Sequence, residues 1–591
     1  MRFSRLALAL VLSASAGLAN AAQPAEVALL ELDGPLHEQP NPLEWLFGSG
    51  DHVTLSAATG AIHTAARSSS HKGILIRLKD AELSPTQTEE LGQAIKAARK
   101  AGKKVHVFAE AYTTPYFLLA SYADEALAQP GAPVMLSGMH MEEMFLADTL
   151  SWIGLKADFV QVGDYKGASE MMSNSKPSPA WDQNINQLLD SMYANVRAPM
   201  KAGRKLDDAK LDTAMKEAWL ADAAKAVDLG LLDAEVDWAS IVSHLDKVYG
   251  TEVELDSSLL GSDADAKIEM SNPFAMLSKL SQTPDTTPKK PSIAVLHLNG
   301  TIIDGDSAAG GLMGGGESVG SRTFRRTIEE LIDEPLIQGV VVRINSPGGS
   351  ASASEVMYQG LKKLSASKPV WVSVGSMAAS GGYYCLVGGQ KVYVNPSSIV
   401  GSIGVVGGRL AMDGLYSNLK INVVSRSRGP NADMFRSTGA WSPAEVATVR
   451  AKMTETYNQF TSRVSAGRPG IDLAKTAEGR LFTGDKAISL NMADRIGGLH
   501  DAVNDLASEL KLSDFDVMHF PGPKSLPEVL EDAFGSFVTA PNAASPLQSL
   551  AAAGEQIFGP AWPQVRQAIT GVLQLRREPV LLMTPSVLIV K

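Results

Sequence analysis

The chain carries nearly the same sequence twice. Shifted by 266 positions without a gap, it aligns Val27 with Ile293, Gly34 with Gly300, Gly73 with Gly339, Arg77 with Arg343, Pro130 with Pro396 and Gly138 with Gly404. A repeat of this length predicts two copies of one folding unit. The copies differ where chemistry would sit. The second holds Ser346-Pro347-Gly348-Gly349 and Ala379-Ser380-Gly381-Gly382 where the first holds Asp80-Ala81-Glu82-Leu83 and Thr113-Thr114-Pro115-Tyr116. The divergence predicts one active site assembled from two incomplete halves.

At 591 residues the chain exceeds a single ordinary core, so two or more domains are expected. A formal net charge of −11 lacks the excess of Lys and Arg that a nucleic-acid surface requires. The single cysteine, Cys385, excludes an intrachain disulfide, leaving packing to stabilise the fold. No CxxC, HExxH or Walker-type loop is present, so neither a metal nor a nucleotide cofactor is implied. Arg2 and Arg5 precede an apolar run at residues 6–12, followed by Ala19-Asn20-Ala21, an A-x-A cleavage site. Residues 1–21 therefore read as an export signal, with an uncut N-terminal anchor as the alternative. The run is shorter than the roughly 20 residues needed to span a bilayer.

Each copy opens with an apolar β-type run, at residues 27–32 and 293–298. More follow at 73–78 and 105–109 in the first copy, and at 339–344 and 370–374 in the second. They lack alternation, as expected of strands covered on both faces. Helix-patterned segments at 87–100 and 353–364 lie between them. Strand and helix in alternation predict an α/β fold with mainly parallel sheets flanked by helices, built twice. The expected units are residues 27–250 and 291–510, joined by a Pro/Thr-containing linker at 251–290 and followed by an extension at 511–591. Within that extension residues 580–590 are apolar enough to dock on something, and the sequence leaves open whether it does.

Ser380 follows a strand and opens a run of small residues predicted to enter a helix. There its hydroxyl meets the positive end of a helix, and the Gly381 N–H is aimed at a developing oxyanion. Gly348-Gly349 lets the backbone approach a carbonyl closely, making the Gly349 N–H the second donor. In the first copy Pro115 has no N–H to give, and no glycine pair precedes it. The alternative for Ser380 is a capping serine at a tight helix entry. No GxSxG pattern surrounds it, and no histidine is matched to the site. His106 and His297 read as packed or capping residues, and Cys385 as a buried one.

The segments Asn345-Ser346-Pro347-Gly348-Gly349-Ser350, Ala378-Ala379-Ser380-Gly381-Gly382-Tyr383-Tyr384 and Val400-Gly401-Ser402-Ile403-Gly404 closely resemble the signal peptide peptidase A family, in its long, tandemly duplicated form. The resemblance covers residues 27–510 and implies a fold related to Clp-type proteases and crotonases. It also implies a Ser/Lys dyad whose lysine comes from the first repeat. Gln161-Val162-Gly163-Asp164-Tyr165-Lys166-Gly167-Ala168 matches the family's lysine segment, with glycine at 167 in place of its serine, so Lys166 is the expected base. The matching stretch of the second copy, residues 425–435, offers Arg426 and Arg428, which stay protonated. Free lysine titrates near 10.4, so Lys166 must be buried against apolar walls to act as a base around neutrality, and a nearby Asp164 carboxylate would oppose this. The resemblance implies that Ser402 orients the amine. It further implies a serine endopeptidase acting on hydrophobic peptides such as cleaved signal peptides, membrane-associated at the periplasmic face of the cytoplasmic membrane and assembled as a bowl-shaped homotetramer. The glycine-rich residues 310–316 read as a flap or a spacer. Two rivals remain: a peptide-binding homologue without catalysis, and a crotonase-like acyl-CoA enzyme.

Overall fold

A computed structural model gives the structure of the chain and describes residues 24–42, 53–260, 287–307, 317–523 and 581–583. The expected leader at 1–21, the glycine-rich stretch at 310–316, most of the linker and most of the C-terminal extension lie outside the described residues.

In the first repeat the elements used below are β1 (Ala25–Leu32), β2 (His71–Leu78), α1 (Pro85–Lys100), β3 (Lys104–Ala109), β4 (Glu125–Ala128), β5 (Lys156–Val162), α2 (Pro179–Arg204) and β6 (Val253–Asp256). The second repeat contributes β7 (Ser292–Asn299), β8 (Thr301–Ile303), β9 (Ile337–Ser346), β10 (Gly348–Ser350), α3 (Ala351–Ser365), β11 (Val370–Ala379), α4 (Gly381–Leu386), β12 (Lys391–Val394), β13 (Ile399–Gly401) and β14 (Val405–Ala411). Beyond them lie β15 (Asp516–Phe520) and β16 (Leu581–Met583).

The duplication is visible strand by strand. In the first sheet β6, β1, β2, β3 and β4 run parallel in that order, with Ala234–Glu235 at the edge. In the second, β15, β7, β9, β11 and β12 run parallel in matching order, with Arg495–Ile496 at the edge and β13 also on β11. Even the irregularity recurs, since the register shifts between Glu26 and Val27 and again between Ser292 and Ile293. The non-alternating apolar runs lie in these sheets as expected. All eight residues of β7 are buried, and separate apolar clusters cover its two faces.

The repeats meet through α1. Its ends are well specified: Ser84 and Gln87 form a reciprocal capping box, Pro85 occupies the first turn, and Arg99 and Lys100 place positive charge in the last. Yet its first turns bury Thr86, Gln87, Thr88, Glu89 and Glu90, polar residues that an isolated repeat would leave in water. Gln87 and Thr88 bond within the first repeat, to Leu36 O and Ser84 O, whereas Thr86, which meets Ser376 Oγ at 2.9 Å, Glu89 and Glu90 bond the second repeat. Glu89 accepts from Ser397 N (3.0 Å) and Ser397 Oγ (2.6 Å), and Glu90 accepts from Asn395 Nδ2 (2.8 Å) and Leu499 N (3.0 Å). Arg343 lies fully buried in β9 between Glu38 and Glu90, at 2.8 Å from each. Its repeat partner Arg77 pairs with Glu31 and Glu110 inside its own repeat, nearer the surface.

A third sheet also joins the halves. Its order is Ser318–Gly320, β8, β10, β16, β14, β5. Here β14 of the second repeat pairs antiparallel with β5 of the first along seven residues, from Val405 opposite Val162 to Ala411 opposite Lys156. This ladder fixes where the chain after Val162 must go.

Candidate active site

Ser380 occupies the one-residue turn between β11 and α4. Its backbone stands at φ 55°, ψ −113°, outside the region open to a non-glycine residue, a strain found where function over-determines conformation. The turn is pinned on both sides: Ser380 N donates to Gly401 O, and its own carbonyl accepts from Tyr384 N, each at 2.8 Å. The following glycines are steric requirements. A Cβ on Gly381 would lie 2.5 Å from Ser354 Oγ and 3.2 Å from Gly348 Cα, and one on Gly382 would lie 2.7 Å from Ser346 O. The strained nucleophile turn is thus present without the GxSxG pattern. The helix it opens has six residues, so a helix dipole contributes less than the sequence reading expected, and the local N–H groups matter more.

Gly348 and Gly349 bring β10 against the same place. A Cβ on Gly349 would sit 2.0 Å from Ile302 O, so only glycine lets β10 close on β8. The Gly348 N–H is taken by Ser346 Oγ at 3.1 Å. Gly348 packs on the Gly381 backbone, so the two expected oxyanion donors, Gly349 and Gly381, lie on adjoining segments.

Lys166 arrives from the other repeat, in the turn that follows β5. Its Nζ lies 2.7 Å from Ser380 Oγ, 2.8 Å from Ser402 Oγ and 2.8 Å from Ser402 O. The side chain is buried, and burial is what drives its pKa well below that of a free lysine. Asp164 is exposed, so its carboxylate does not offset the burial. The contacts suit a neutral amine. In a neutral amine two N–H groups would serve the Ser402 carbonyl and hydroxyl, leaving a lone pair able to accept from the Ser380 hydroxyl.

The lysine turn is seated by residues that sequence reasoning missed. Tyr165 N donates to Glu478 O (2.9 Å), Gly479 N to Ile403 O (2.8 Å) and Ser402 N to Arg480 O (2.7 Å), so residues 478–480 tie the lysine turn to the Ser402 strand. A Cβ on Gly479, whose φ is +91°, would lie 2.5 Å from Lys166 N, and one on Gly404 would lie 3.1 Å from Lys166 Cδ. Trp181 of α2 occupies the space of a side chain at 167, where a Cβ would be 2.3 Å from its ring. That accounts for the glycine standing where the resemblance expects serine. A glycine between Glu478 and Arg480 was the available signal, but nothing local ties it to a lysine some 300 residues earlier.

The first repeat's counterpart is closed. Thr114 and Leu136, which stand where the second repeat has Ser380 and Ser402, are buried, and Thr114 Oγ1 has no hydrogen-bond partner. Arg426 and Arg428 are exposed. His106 bonds Glu125 and Tyr249, and His297 bonds His519. Cys385 is buried, and burial pushes its thiol pKa up.

The sequence profile of Peptidase family S49 matches residues 97–252 and 362–513, one span in each repeat. Protease 4 of Haemophilus influenzae is 30% identical over 527 residues, covering 85% of this chain and 82% of that protein. Protease 4 of Salmonella typhi is 27% identical over 544 residues, covering 88% and 84%. Among solved structures, a membrane-bound stomatin-specific protease in complex with a substrate peptide aligns with 42% of this chain and 99% of its own. The identity is 14% and the TM-score 0.26.

Proposed function

This chain belongs to peptidase family S49 and is a serine peptidase, and from that membership we propose that it is an exported endopeptidase cutting hydrophobic peptides, cleaved signal peptides among them, with a Ser380/Lys166 dyad. The observation that carries the reading is the 2.7 Å approach of a buried lysine amine to a serine hydroxyl held in a strained turn.

In this reading Ser380 Oγ attacks the scissile carbonyl carbon while the Lys166 lone pair takes its proton. The ammonium that forms keeps its hydrogen bonds to Ser402. The tetrahedral oxygen accepts from the Gly349 and Gly381 N–H groups, each worth roughly 3–4 kcal/mol in the transition state. Collapse breaks the C–N bond, and Lys166 returns the proton to the leaving amine. Water, deprotonated by the same lysine, then attacks the acyl-enzyme ester and releases the second product with a free carboxylate. Residues 27–250 supply the base and residues 291–510 the nucleophile and oxyanion donors.

The leader-like residues 1–21 support export to the outer face of the cytoplasmic membrane. No helix among the described residues is long and apolar enough to cross a membrane. Assembly with further copies of the chain, four by the family resemblance, has support of its own. Residues 420–426 of the second repeat correspond to β5 of the first, yet they run unpaired and expose Ile421, Val423 and Val424. Residues 139–145, the counterpart of β14, likewise form no strand. If β5 and β14 pair within one chain, their counterparts are free to pair between chains, a head-to-tail contact that closes into a ring.

The test is cleavage of a fluorogenic apolar peptide by wild type, Ser380→Ala and Lys166→Ala. Both variants should lose at least about 10³-fold in kcat. Turnover surviving in Ser380→Ala would favour a crotonase-like enzyme. A wild type that binds the peptide without cutting it would favour a non-catalytic binder.

A further inference from the structure

Each expected oxyanion donor leads into a helix, and a side-chain bridge ties the two helices together. Gly349 lies in β10, which runs directly into α3 at Ala351, and Gly381 opens α4. Tyr384, buried on α4, donates its hydroxyl proton to Glu355 Oε2 on α3, at 2.5 Å. Its backbone N–H donates to Ser380 O at 2.8 Å. One residue thus grips the nucleophile turn with its main chain and α3 with its side chain. Glu355 is held in turn. Arg463, on the helix Pro443–Gly467, donates to Glu355 Oε1 at 2.8 Å, and Gln359 donates to the same oxygen at 2.7 Å. Burial works to raise the Glu355 pKa, but the bonds from Arg463, Tyr384 and Gln359 outweigh it and hold the pKa below the ordinary carboxyl value. The acceptor is therefore a carboxylate, which strengthens the bond. The rings of Tyr358 and Phe460 lie 5.7 and 4.7 Å from that of Tyr384 and fix its plane.

The first repeat shows what the bridge is for. At the 266-residue spacing Leu118 stands in the place of Tyr384 and has no hydroxyl to give. Glu89 stands in the place of Glu355, but it accepts from Ser397 of the other repeat. With Ser178-Pro179-Ala180 aligned on Ser442-Pro443-Ala444, Pro199 stands in the place of Arg463. Every member of the bridge is replaced or redirected in the half that has no nucleophile.

We propose that Tyr384 is a positioning residue for the oxyanion hole, setting through Glu355 the spacing between the Gly349 and Gly381 N–H groups. The inference rests on the serine-peptidase reading and adds a residue that acts on the hole from behind, without touching substrate. The hole serves a charge that exists only in the tetrahedral state. A change in donor spacing therefore falls on kcat and leaves ground-state binding alone.

Tyr384→Phe removes one oxygen and keeps the ring, so the core stays filled. On a fluorogenic apolar peptide it should lower kcat about 10- to 100-fold with KM nearly constant. Glu355→Ala should do the same, and the double variant should be no slower than the slower single one, because both break one link. Glu355→Gln, which keeps an oxygen for the Tyr384 hydroxyl, should recover most of the loss. A second measurement needs no turnover. A peptide aldehyde forms a hemiacetal with Ser380 Oγ and places its former carbonyl oxygen in the hole. It should bind Tyr384→Phe more weakly by the factor by which kcat/KM falls. Wild-type kcat in Tyr384→Phe would overturn the proposal, as would losses that multiply in the double variant. A lower melting temperature with kcat and aldehyde affinity unchanged would mark a merely structural brace and overturn it too. A wild type that neither cleaves the peptide nor binds the aldehyde would overturn the peptidase reading itself, and the proposal with it.

Discussion

Lys166 and Ser380 stand 214 residues apart in the chain and 2.7 Å apart in space, each supplied by a different repeat. Neither repeat carries both. The first supplies the lysine, but its own serine position holds Thr114 and its oxyanion position Pro115, and the second has a complete nucleophile turn but no lysine in the matching stretch. The proposed dyad is thus an interface property. Whatever holds α1 and β5 against the second repeat also sets the proton-transfer distance.

The first prediction concerns pH. Burial lowers the Lys166 pKa, so in the proposed mechanism the amine can act as a base well below the titration of free lysine. The kcat/KM of wild type should rise with pH through that lowered value and then level off. Stability carries the same signature. Between the folded pKa and the unfolded value near 10.4, the unfolded chain binds one proton more than the native one, so native stability should increase with pH by up to about 1.4 kcal/mol per unit. Lys166→Met should remove that slope in denaturant titrations at several pH values, and an unchanged slope would mean that the lysine is charged in the fold.

Ser402 is the second. It offers Lys166 both a hydroxyl and a carbonyl at 2.8 Å, and Ser402→Ala deletes only the first. With one acceptor fewer, the ammonium is harder to form and the amine less well aimed. The expected result is a fall in kcat of about ten- to a hundredfold with KM nearly constant, and an acid limb of the rate profile displaced to lower pH. A merely structural role would lower thermal stability without moving that limb.

How much of this was legible in the sequence follows from what is local and what is not. The strands around residues 27–32, 73–78, 293–298 and 339–344 were readable because doubly buried strands have an unmistakable composition. Ser380, Gly381 and Gly349 were readable because their requirements are local, a tight turn and free N–H groups. Lys166 was not, because nothing near it in sequence distinguishes a buried base from a surface lysine; only the resemblance identified it. Gly479 and Trp181 escaped for the same reason, since each acts on a partner far away in the chain; the apolar run at 580–590 was visible, but not the strands on which Leu581–Met583 pairs. The strain at Ser380 was invisible too, because no GxSxG pattern accompanies it.

The third prediction tests the seat of the lysine. Gly479→Ala places a methyl group 2.5 Å from Lys166 N at a φ of +91°, so the lysine turn or residues 478–480 must move. A displacement of about 1 Å at the amine is worth about a hundredfold in rate. The expected outcome is that loss in kcat/KM, with the chain still folded by circular dichroism.

Glu89 supplies the fourth. Buried in the repeat interface, its pKa is pushed up to about 7 by burial, and its hydrogen bonds from Ser397 resist the rise. Here the sign is opposite to that of Lys166. Between the ordinary carboxyl value and about 7 the native state holds the extra proton, so stability falls as pH rises through this window. Glu89→Gln should flatten that fall and be more stable than wild type at pH 8 by about 2–4 kcal/mol, as measured by urea unfolding.

The last prediction separates the interface from its copy. Arg343 and Arg77 share one position in the repeat, but Arg343 is buried between Glu38 and Glu90 and Arg77 lies near the surface with Glu31 and Glu110. Burial works against the Arg343 charge, yet the two carboxylates outweigh it and hold its pKa above the ordinary arginine value. Removing that guanidinium leaves two buried acids facing each other. Arg343→Met should therefore cost about 3–5 kcal/mol, whereas Arg77→Met should cost no more than about 1 kcal/mol. Because Glu38 and Glu90 belong to the first repeat and Arg343 to the second, the loss should also loosen the dyad. At temperatures where the variant remains folded, its kcat/KM should fall further than that of Arg77→Met. Equal effects of the two substitutions on both stability and rate would show that the ion cluster does not hold the repeats in register.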